Sequence, residues 1–510
     1  MDLVAELAQF KLEPAAAEWV GRLIEKTQKD ALAIQQAELK NQALTFELAY
    51  YKRIRFANKS EQFSVEQREL FEESWNTDIA ALEAEVKPLN SAPKPAKRAG
   101  AGRQPLPDHL PRIEHRHEPE SCTCVQCGRD LVKIGEDVSE HLDVEPARFF
   151  VQRHIRPQYA CRSCETITAA PVPAAVIDGG MAAPGLLTWV MVSKFQDHLP
   201  LYRLEQIAAR SQVPLARSTL AEWVGRVGVA LQPLSNRLAE LLLARNVLHA
   251  DETPVPQLDP GNGKTRKAYL WAYRSNDLEH GPPILVFDYQ PGRQGVHARH
   301  FLGDWRGHLM VDDYAGYKAL FTQGVTELGC FAHARRKFFD LFTANQSPVA
   351  AEALRRIGEL YEVERAAKEM NEVGRLQLRQ ADALPRLEAL RTWLMQTRMT
   401  VANGGATANA LDYSIKRWPA LIRYVDSGVL PIDNNPVENS IRPIAIGKKN
   451  WLFAGSERAG KRAAAIQTLL GTAKLNGLDS NAWLKDTLEK LPTWPNSRID
   501  ELLPLRAMLP

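Results

Sequence analysis

Four of the six cysteines fall in two pairs, Cys124-x-x-Cys127 and Cys161-x-x-Cys164. Each CxxC brings two sulfurs to one side of an ion, and zinc favours four such ligands in a tetrahedron. The stretches DVSEHLDVE and ARFFVQRHI between the pairs read as strands. A zinc ribbon with its ligands on two knuckles is therefore expected. The gap between Cys127 and Cys161 exceeds the usual roughly 15–20 residues, so Cys122, His115 and His117 also stand as ligands in reserve. Free thiols are the plain alternative. Cys330 is alone in an apolar context and reads as a small core residue.

Three acidic residues sit where packing explains them poorly. Asp251 in LHADET and Asp312 in LMVDDY lie at the ends of predicted strands, and Glu438 lies in DNNPVENS. Mg²⁺ is bound through a few carboxylates together with substrate phosphate. Two such ions can activate an attacking oxygen and stabilise a leaving one. Each acid also has a structural reading. An Asp at a strand end often forms a turn or a helix cap. Asn435 as N-cap, Pro436 at N1 and Glu438 at N3 would form a capping-box-like helix start. The two roles of Glu438 coexist if that helix start faces the site.

Cations lie near these acids in sequence. His333, Arg335 and Arg336 occur in CFAHARRKF, Arg442 in IRP, and Lys448 and Lys449 in GKKNW. Cations interleaved with aromatics suit phosphate and base contacts. A solvated charged face is the alternative.

The elements that must position these groups change along the chain. The first 60 residues read as helix, and Leu32, Leu39 and Phe46 recur every seven residues. They suit either a short coiled coil or an amphipathic helix in a bundle. Residues 86 to 112 are rich in Pro and carry Lys94, Lys97, Arg98 and Arg103, which reads as a linker or a basic arm along phosphates. Residues 184 to 232 return to helix. Within them LYRLEQIAARSQVPLARSTLAEWV reads as helix, short turn, helix, the pattern of a helix-turn-helix and of many helical hairpins. From 245 to 345, NVLHADETPVPQ, KAYLWAYRS, PPILVFDYQ and GHLMVDDY are β-rich runs in an α/β texture. Helical stripes follow, Leu354, Ile357 and Tyr361, then Leu387, Leu390 and Leu394 across Pro385. No internal repeat is evident.

Composition narrows the classes. A chain of 510 residues suggests roughly three to four domains. A net charge of +3 excludes a uniformly basic DNA coat, so any nucleic-acid binding must come from local clusters. Hydrophobic residues at 45% and charged residues at 25% argue against global disorder. Mean hydropathy is −0.31, and no apolar run approaches the roughly 18 residues of a membrane helix. The start, MDLVAELAQFKLEPAAAEWV, lacks the pattern of a secretory signal. Six cysteines are too few for a disulfide scaffold.

Taken together the motifs resemble the large transposase of the insertion sequence 66 family. FANKSE at 56–61 resembles the family's FGxKSE element, with Ala57 where Gly is usual. RQPLP at 103–107 and LPR at 110–112 resemble its linker. The paired CxxC ribbon and HLPLYRLEQ follow, then ADET, VDDYAGY, AHARRKF and DNNPVENSIRP in the family order. The family usually reads DGYAGY, and Asp313 stands at the Gly position here.

The resemblance implies a multidomain α and α/β protein. It would have a helical, coiled-coil multimerisation segment (1–60), a linker (61–112), a zinc ribbon (113–170) and a helix-turn-helix-like helical region (171–240). An RNase H-like α/β core (241–345 and 427–465) would be split by a helical insertion (346–426), with a C-terminal tail (466–510). It implies a DDE transposase whose triad is Asp251, Asp312 and Glu438, holding two Mg²⁺ or Mn²⁺ ions. Zn²⁺ would sit on Cys124, Cys127, Cys161 and Cys164. His333, Arg335, Arg336, Arg442, Lys448 and Lys449 would contact DNA. The implied partners are terminal inverted repeats and target DNA, further copies of the chain and small accessory proteins of the same element. The implied setting is the bacterial cytoplasm, at the nucleoid. Two other readings stay open: a zinc-dependent DNA-binding protein with an inactive core, and an RNase H-like nuclease without joining activity.

Overall fold

The computed structural model describes residues 106–118, 132–145, 148–259 and 264–506, with six isolated positions between Val20 and Asn41. The candidate coiled coil, the FANKSE element, most of the basic linker, Cys122, Cys124 and Cys127 lie outside those residues.

A small sheet comes first. Its strands are β1 (Arg112–Arg116), β2 (Val132–Glu145), β3 (Arg148–Ala160) and β4 (Ile167–Ala169). They run in the order β1-β3-β2, with β4 also on β3. The strand runs expected around the cysteines form the long antiparallel β2–β3 ladder, in which Leu142 opposes Val151. Alternation sends Leu142, Val151 and Ile155 inward, each at most 2% exposed. The inner face docks on α1 (Pro184–Phe195), where the Ala183 N–H donates to the Leu142 carbonyl at 2.8 Å.

Helices α2 (Leu201–Arg210) and α3 (Arg217–Leu243) follow. The expected helix–turn–helix is present, but its second helix is a core element. Leu220, Trp223, Val224, Val227 and Leu231 of α3 are all buried, while Ser218 in its first turn is exposed. A helix apolar around most of its circumference is fixed by packing on several sides.

The central sheet is built from β5 (Val247–Leu258), β6 (Thr265–Ser275), β7 (Leu285–Gln290), β8 (His308–Val311) and β9 (Thr326–Gly329). Its order is β7-β6-β5-β8-β9. The β7–β6 and β6–β5 pairs are antiparallel, and β5–β8 and β8–β9 are parallel. Helix α4 (Val296–Leu302) connects β7 to β8. Both faces are covered, so the middle of β6, Ala268 to Tyr273, is apolar or aromatic at every position. Trp271 and Tyr273 enter the core that contains α3. Ala268, Leu270 and Ala272 pack instead towards α9 (Asn435–Trp451) and α10 (Glu457–Leu475). The β7 edge is closed by α10: the hydroxyls of Thr468 and Thr472 accept the N–H groups of Phe287 and Leu285 at 2.8 and 3.1 Å. An edge strand with its amides engaged cannot recruit another strand.

Between β9 and α9 the chain is helical. Helices α5 (Phe331–Asn345), α6 (Pro348–Ala366), α7 (Leu384–Thr400) and α8 (Ala406–Lys416) bury Ile357, Leu387, Leu390 and Leu394 in one cluster, with Leu354 and Tyr361 at its margin. The fully buried Arg379 is matched there by Glu364 at 2.6 Å and by the carbonyls of Tyr424 and Leu430 at 3.0 and 2.9 Å. No described helix is long and apolar enough to cross a membrane.

Candidate active site

Asp251 does not end its strand. β5 continues to Leu258, with Asp251 opposite Ala272 of β6. What ends here is the neighbour: β8 stops at Val311, one residue before Asp312. The parallel register sets His249 against Met310, so an equal step of two residues along each strand reaches Asp251 and Asp312. Glu438 arrives from the first turn of α9.

That turn is anchored one residue earlier than the sequence suggests. The N-cap is Asn434, and its side chain makes no capping bond. It is spent across the fold. Its Oδ1 meets His249 Nδ1 at 3.0 Å, its Nδ2 donates to the Ala250 carbonyl at 2.9 Å, and its N–H donates to Cys330 Sγ at 3.2 Å. Asp433 supplies the local turn by accepting the Asn435 N–H at 3.0 Å. One fully buried asparagine thus ties β5, the start of α5 and the start of α9 together. Nothing in the sequence separates Asn434 from Asn435 except which side of the turn it faces.

The electrostatics are those of a crowded anionic cluster. Burial first, joined by Glu252, Asp312 and Glu438 and opposed by the N–H of Glu252, pushes the Asp251 carboxyl up to about 8. Glu252 is itself engaged, accepting Tyr317 Oη–H at 2.8 Å and meeting Arg293 Nη2 at 2.6 Å. The adjacent Asp312 and Asp313 diverge. Asp312 Oδ1 accepts the Tyr314 N–H at 2.8 Å. Asp313 pairs with Arg417 at 2.9 Å, which also meets Glu327 at 2.7 Å. Gly316 keeps this turn compact, since a Cβ there would lie 2.2 Å from the Tyr314 ring.

Glu438 faces two basic groups. Arg336 Nη2 lies 3.2 Å from Oε2, and His333 Nδ1 lies 3.5 Å from Oε1. Both His333 Nδ1 and Glu438 Oε1 are buried and make no hydrogen bond among the described residues. Burial pushes the His333 imidazole down, with Glu438 opposing. Ligand atoms of Cys330, His333 and Glu438 lie within 4.8 Å of one another. Cys330 is buried as expected, and burial pushes its thiol up to about 12. A protonated thiol leaves the carboxylates as the donors suited to a hard cation.

The remaining cations divide. Arg335 is exposed and lies over the Phe339 ring at 5.8 Å. Lys448 is engaged, with Nζ donating to the Pro254 carbonyl at 3.0 Å. Arg442 and Lys449 are exposed. They follow Glu438 by four and eleven residues, so the three share one stripe of α9.

In the small sheet, Cys161 is buried and Cys164 half-buried, and neither is in a disulfide. A tight turn, closed by the Glu165 N–H on the Cys161 carbonyl at 2.8 Å, packs Cys164 against Cys161. His115 and His117 lie at the β1 side of the same sheet. His115 opposes His154 in the β1–β3 register, and seven strand residues separate His154 from Cys161, roughly 23 Å. Burial first, then His141, His115 and His117, push the His154 imidazole down to about 4.

Comparison with known proteins adds four family matches. Residues 179–462 match the model described as "Transposase IS66 family". Residues 121–165, which contain both CxxC pairs, match "zinc-finger binding domain of transposase IS66". Residues 43–114 match "Transposase C of IS166 homeodomain", and residues 468–505 match "IS66 C-terminal element". Among individual proteins the chain is similar to two uncharacterized proteins of Sinorhizobium fredii. It is 37% identical to y4qI, over 97% of this chain and 93% of that one. It is 35% identical to y4jD, over 90% of this chain and 94% of that one.

Proposed function

Starting from the premise that the chain belongs to the IS66 family of transposases, we propose that it binds the terminal inverted repeats of its insertion sequence and carries out metal-dependent DNA strand cleavage and strand transfer. The observation that carries this reading is that the β5–β8 register sets Asp251 and Asp312 at matching positions on neighbouring strands, and that Asp312 and Glu438, from the first turn of α9, both raise the Asp251 carboxyl. The sheet order supports an RNase H-like core, in which three antiparallel strands are extended by two parallel ones.

Asp251, Asp312 and Glu438 would hold Mg²⁺ or Mn²⁺. The donor types fit, because carboxylates, among them Glu438 with an orphaned Oε1, suit a hard cation. Ions bound there would activate the attacking oxygen and stabilise the leaving one, first for water and then for a DNA 3′-hydroxyl. The protein's part is positioning and charge. Asn434 holds the start of α9 against β5, so Glu438 meets the two aspartates. Arg336 and His333 orient Glu438 and lie beside the scissile phosphate. Arg442 and Lys449 extend the positive track along α9, with Lys448 bracing it on β5. Arg335 contacts DNA farther out. Cys124, Cys127, Cys161 and Cys164 hold the ribbon's zinc, and the ribbon with the first turn of α3 reads the terminal repeat. The N-terminal segment joins copies so that two ends meet in one complex, with accessory proteins of the element assisting.

A joining assay tests this. Purified protein, a labelled element end, a plasmid target and Mg²⁺ or Mn²⁺ should yield joined product that is lost in Asp312→Ala. Nicking without joining would favour a nuclease, and specific binding without either reaction would favour a DNA-binding protein with an inactive core.

A further inference from the structure

Glu438 belongs to a set of three donors of graded hardness. Cys330 is the N-cap of α5 and His333 lies in its first turn, a spacing of three that puts both on one side of the helix start. Glu438 faces them from the first turn of α9. Ligand atoms of the three lie within 4.8 Å of one another. His333 Nδ1 stands 3.5 Å from Glu438 Oε1, and both atoms are buried without a hydrogen-bond partner among the described residues. Arg336 engages the other Glu438 oxygen, at 3.2 Å. The Asn434 N–H points at Cys330 Sγ from 3.2 Å.

We propose that Cys330, His333 and Glu438 bind a zinc-class ion, and that this ion inhibits joining by withdrawing Glu438 from the catalytic metals. The site rests on the geometry, and the inhibition rests on the transposase reading above. Around one zinc ion, with Zn–S of about 2.3 Å and Zn–N or Zn–O of about 2.0–2.2 Å, neighbouring donors stand roughly 3.4–3.6 Å apart. The His333 and Glu438 atoms already have that separation, at 3.5 Å. A closure of about 1 Å brings in the third donor. Sulfur, imidazole and carboxylate together suit zinc, whereas magnesium takes oxygen and leaves the thiol aside. Glu438 is thus shared by two alternative ion sites, and the hardness of the ion selects between them. Binding replaces the Cys330 S–H bond with an S–Zn bond and releases the proton to water. The Asn434 N–H then serves the thiolate, as outer-shell donors serve metal-bound ligands. The His333 and Glu438 side chains keep 21% and 16% exposure, which gives the ion a route from solvent and leaves room for a water as fourth ligand.

Ion counting tests the site apart from activity. Untagged full-length protein, dialysed to equilibrium against micromolar Zn²⁺, should hold about one more zinc per chain than Cys330→Ser or His333→Ala. The double variant Cys330→Ser/His333→Ala should lose that same single ion, and His280→Ala, a change at an exposed position, should lose none. With Cd²⁺ as the probe, thiolate-to-cadmium absorption should be larger for the wild type than for Cys330→Ser. In joining assays with Mg²⁺, each protein is referred to its own zinc-free rate. The zinc concentration for half inhibition should then rise by about tenfold or more in His333→Ala. The site is overturned if the folded single variants keep the wild-type zinc count. It is equally overturned if the double variant loses two ions, which would put Cys330 and His333 on different ions, or if His280→Ala loses as much metal. A zinc count that falls by one with half inhibition unchanged would overturn the inhibitory role. Absence of joining in every protein would sink the transposase reading, and the zinc count would still decide the site. His333→Ala, at a half-buried position, keeps the count decisive should Cys330→Ser fail to fold.

Discussion

The central sheet and the small sheet both gather like groups, but they treat them oppositely. In the central sheet, burial first, then the charges of Glu252, Asp312 and Glu438, pushes the Asp251 carboxyl up to about 8. In the small sheet, imidazoles meet on a face that stays partly open, and His154 is pushed down to about 4. Desolvation disfavours the charged form in both places. For an acid this retains a proton that a hard cation can displace. For an imidazole it favours the neutral form. The same physical cause therefore raises the carboxyl in one region and lowers the imidazole in the other.

The sharpest way to break the comparison is at the acids. Asp312→Ala, or Asp251→Ala, should lower joining by on the order of 10³-fold or more, while binding of the element end persists in a mobility-shift assay. Retained joining would remove that residue from the site. In the small sheet, Cys161→Ser should release one zinc per chain and weaken end binding, yet leave the thermal transition of the catalytic core in place. Unchanged zinc content would refute the cysteine assignment.

Asn434→Ala should lower joining by about 10–100-fold, the usual cost of losing a group that orients a metal ligand. Its first carboxylates remain, so higher Mn²⁺ should restore part of the rate. No recovery, with an intact fold, would argue against a positioning role.

The protonation difference makes a pH prediction. Asp251 binds its proton more tightly in the folded state than at its ordinary 3.8. Without a cation it therefore favours folding at low pH, and that contribution is lost as pH rises from about 4 through about 8. A cation must displace the proton, so Mn²⁺ affinity should rise between pH 6 and 8 by up to about tenfold per unit. Calorimetric titration at three pH values would show it, and a flat profile would mean that Asp251 is already ionised. The smallest effect is expected at Arg442→Ala. It should weaken end binding at every sequence alike and reduce the salt slope by about one ion.

Much of the frame was legible in advance because it is local. The β-rich runs became β5 to β8, and the Leu387, Leu390 and Leu394 stripe became a buried helix face. What escaped depends on distant registers. Asn434 and His249 are 185 positions apart, and His117 and His154 are 37 apart. The second helix of the helix–turn–helix carried the right periodicity, but periodicity does not say that several elements will cover it.

By itself, then, the amino-acid order determined the element types, the inventory of acids, thiols and cations, and the family motifs, since these depend on neighbours a few residues away. Tertiary structure alone decided that Asp312 accepts the Tyr314 N–H while Asp313 turns to Arg417, that Asn434 rather than Asn435 caps α9, and that burial raises the Asp251 carboxyl. Those outcomes follow from strand register and from exclusion of water by packed faces, and both arise only when distant segments meet.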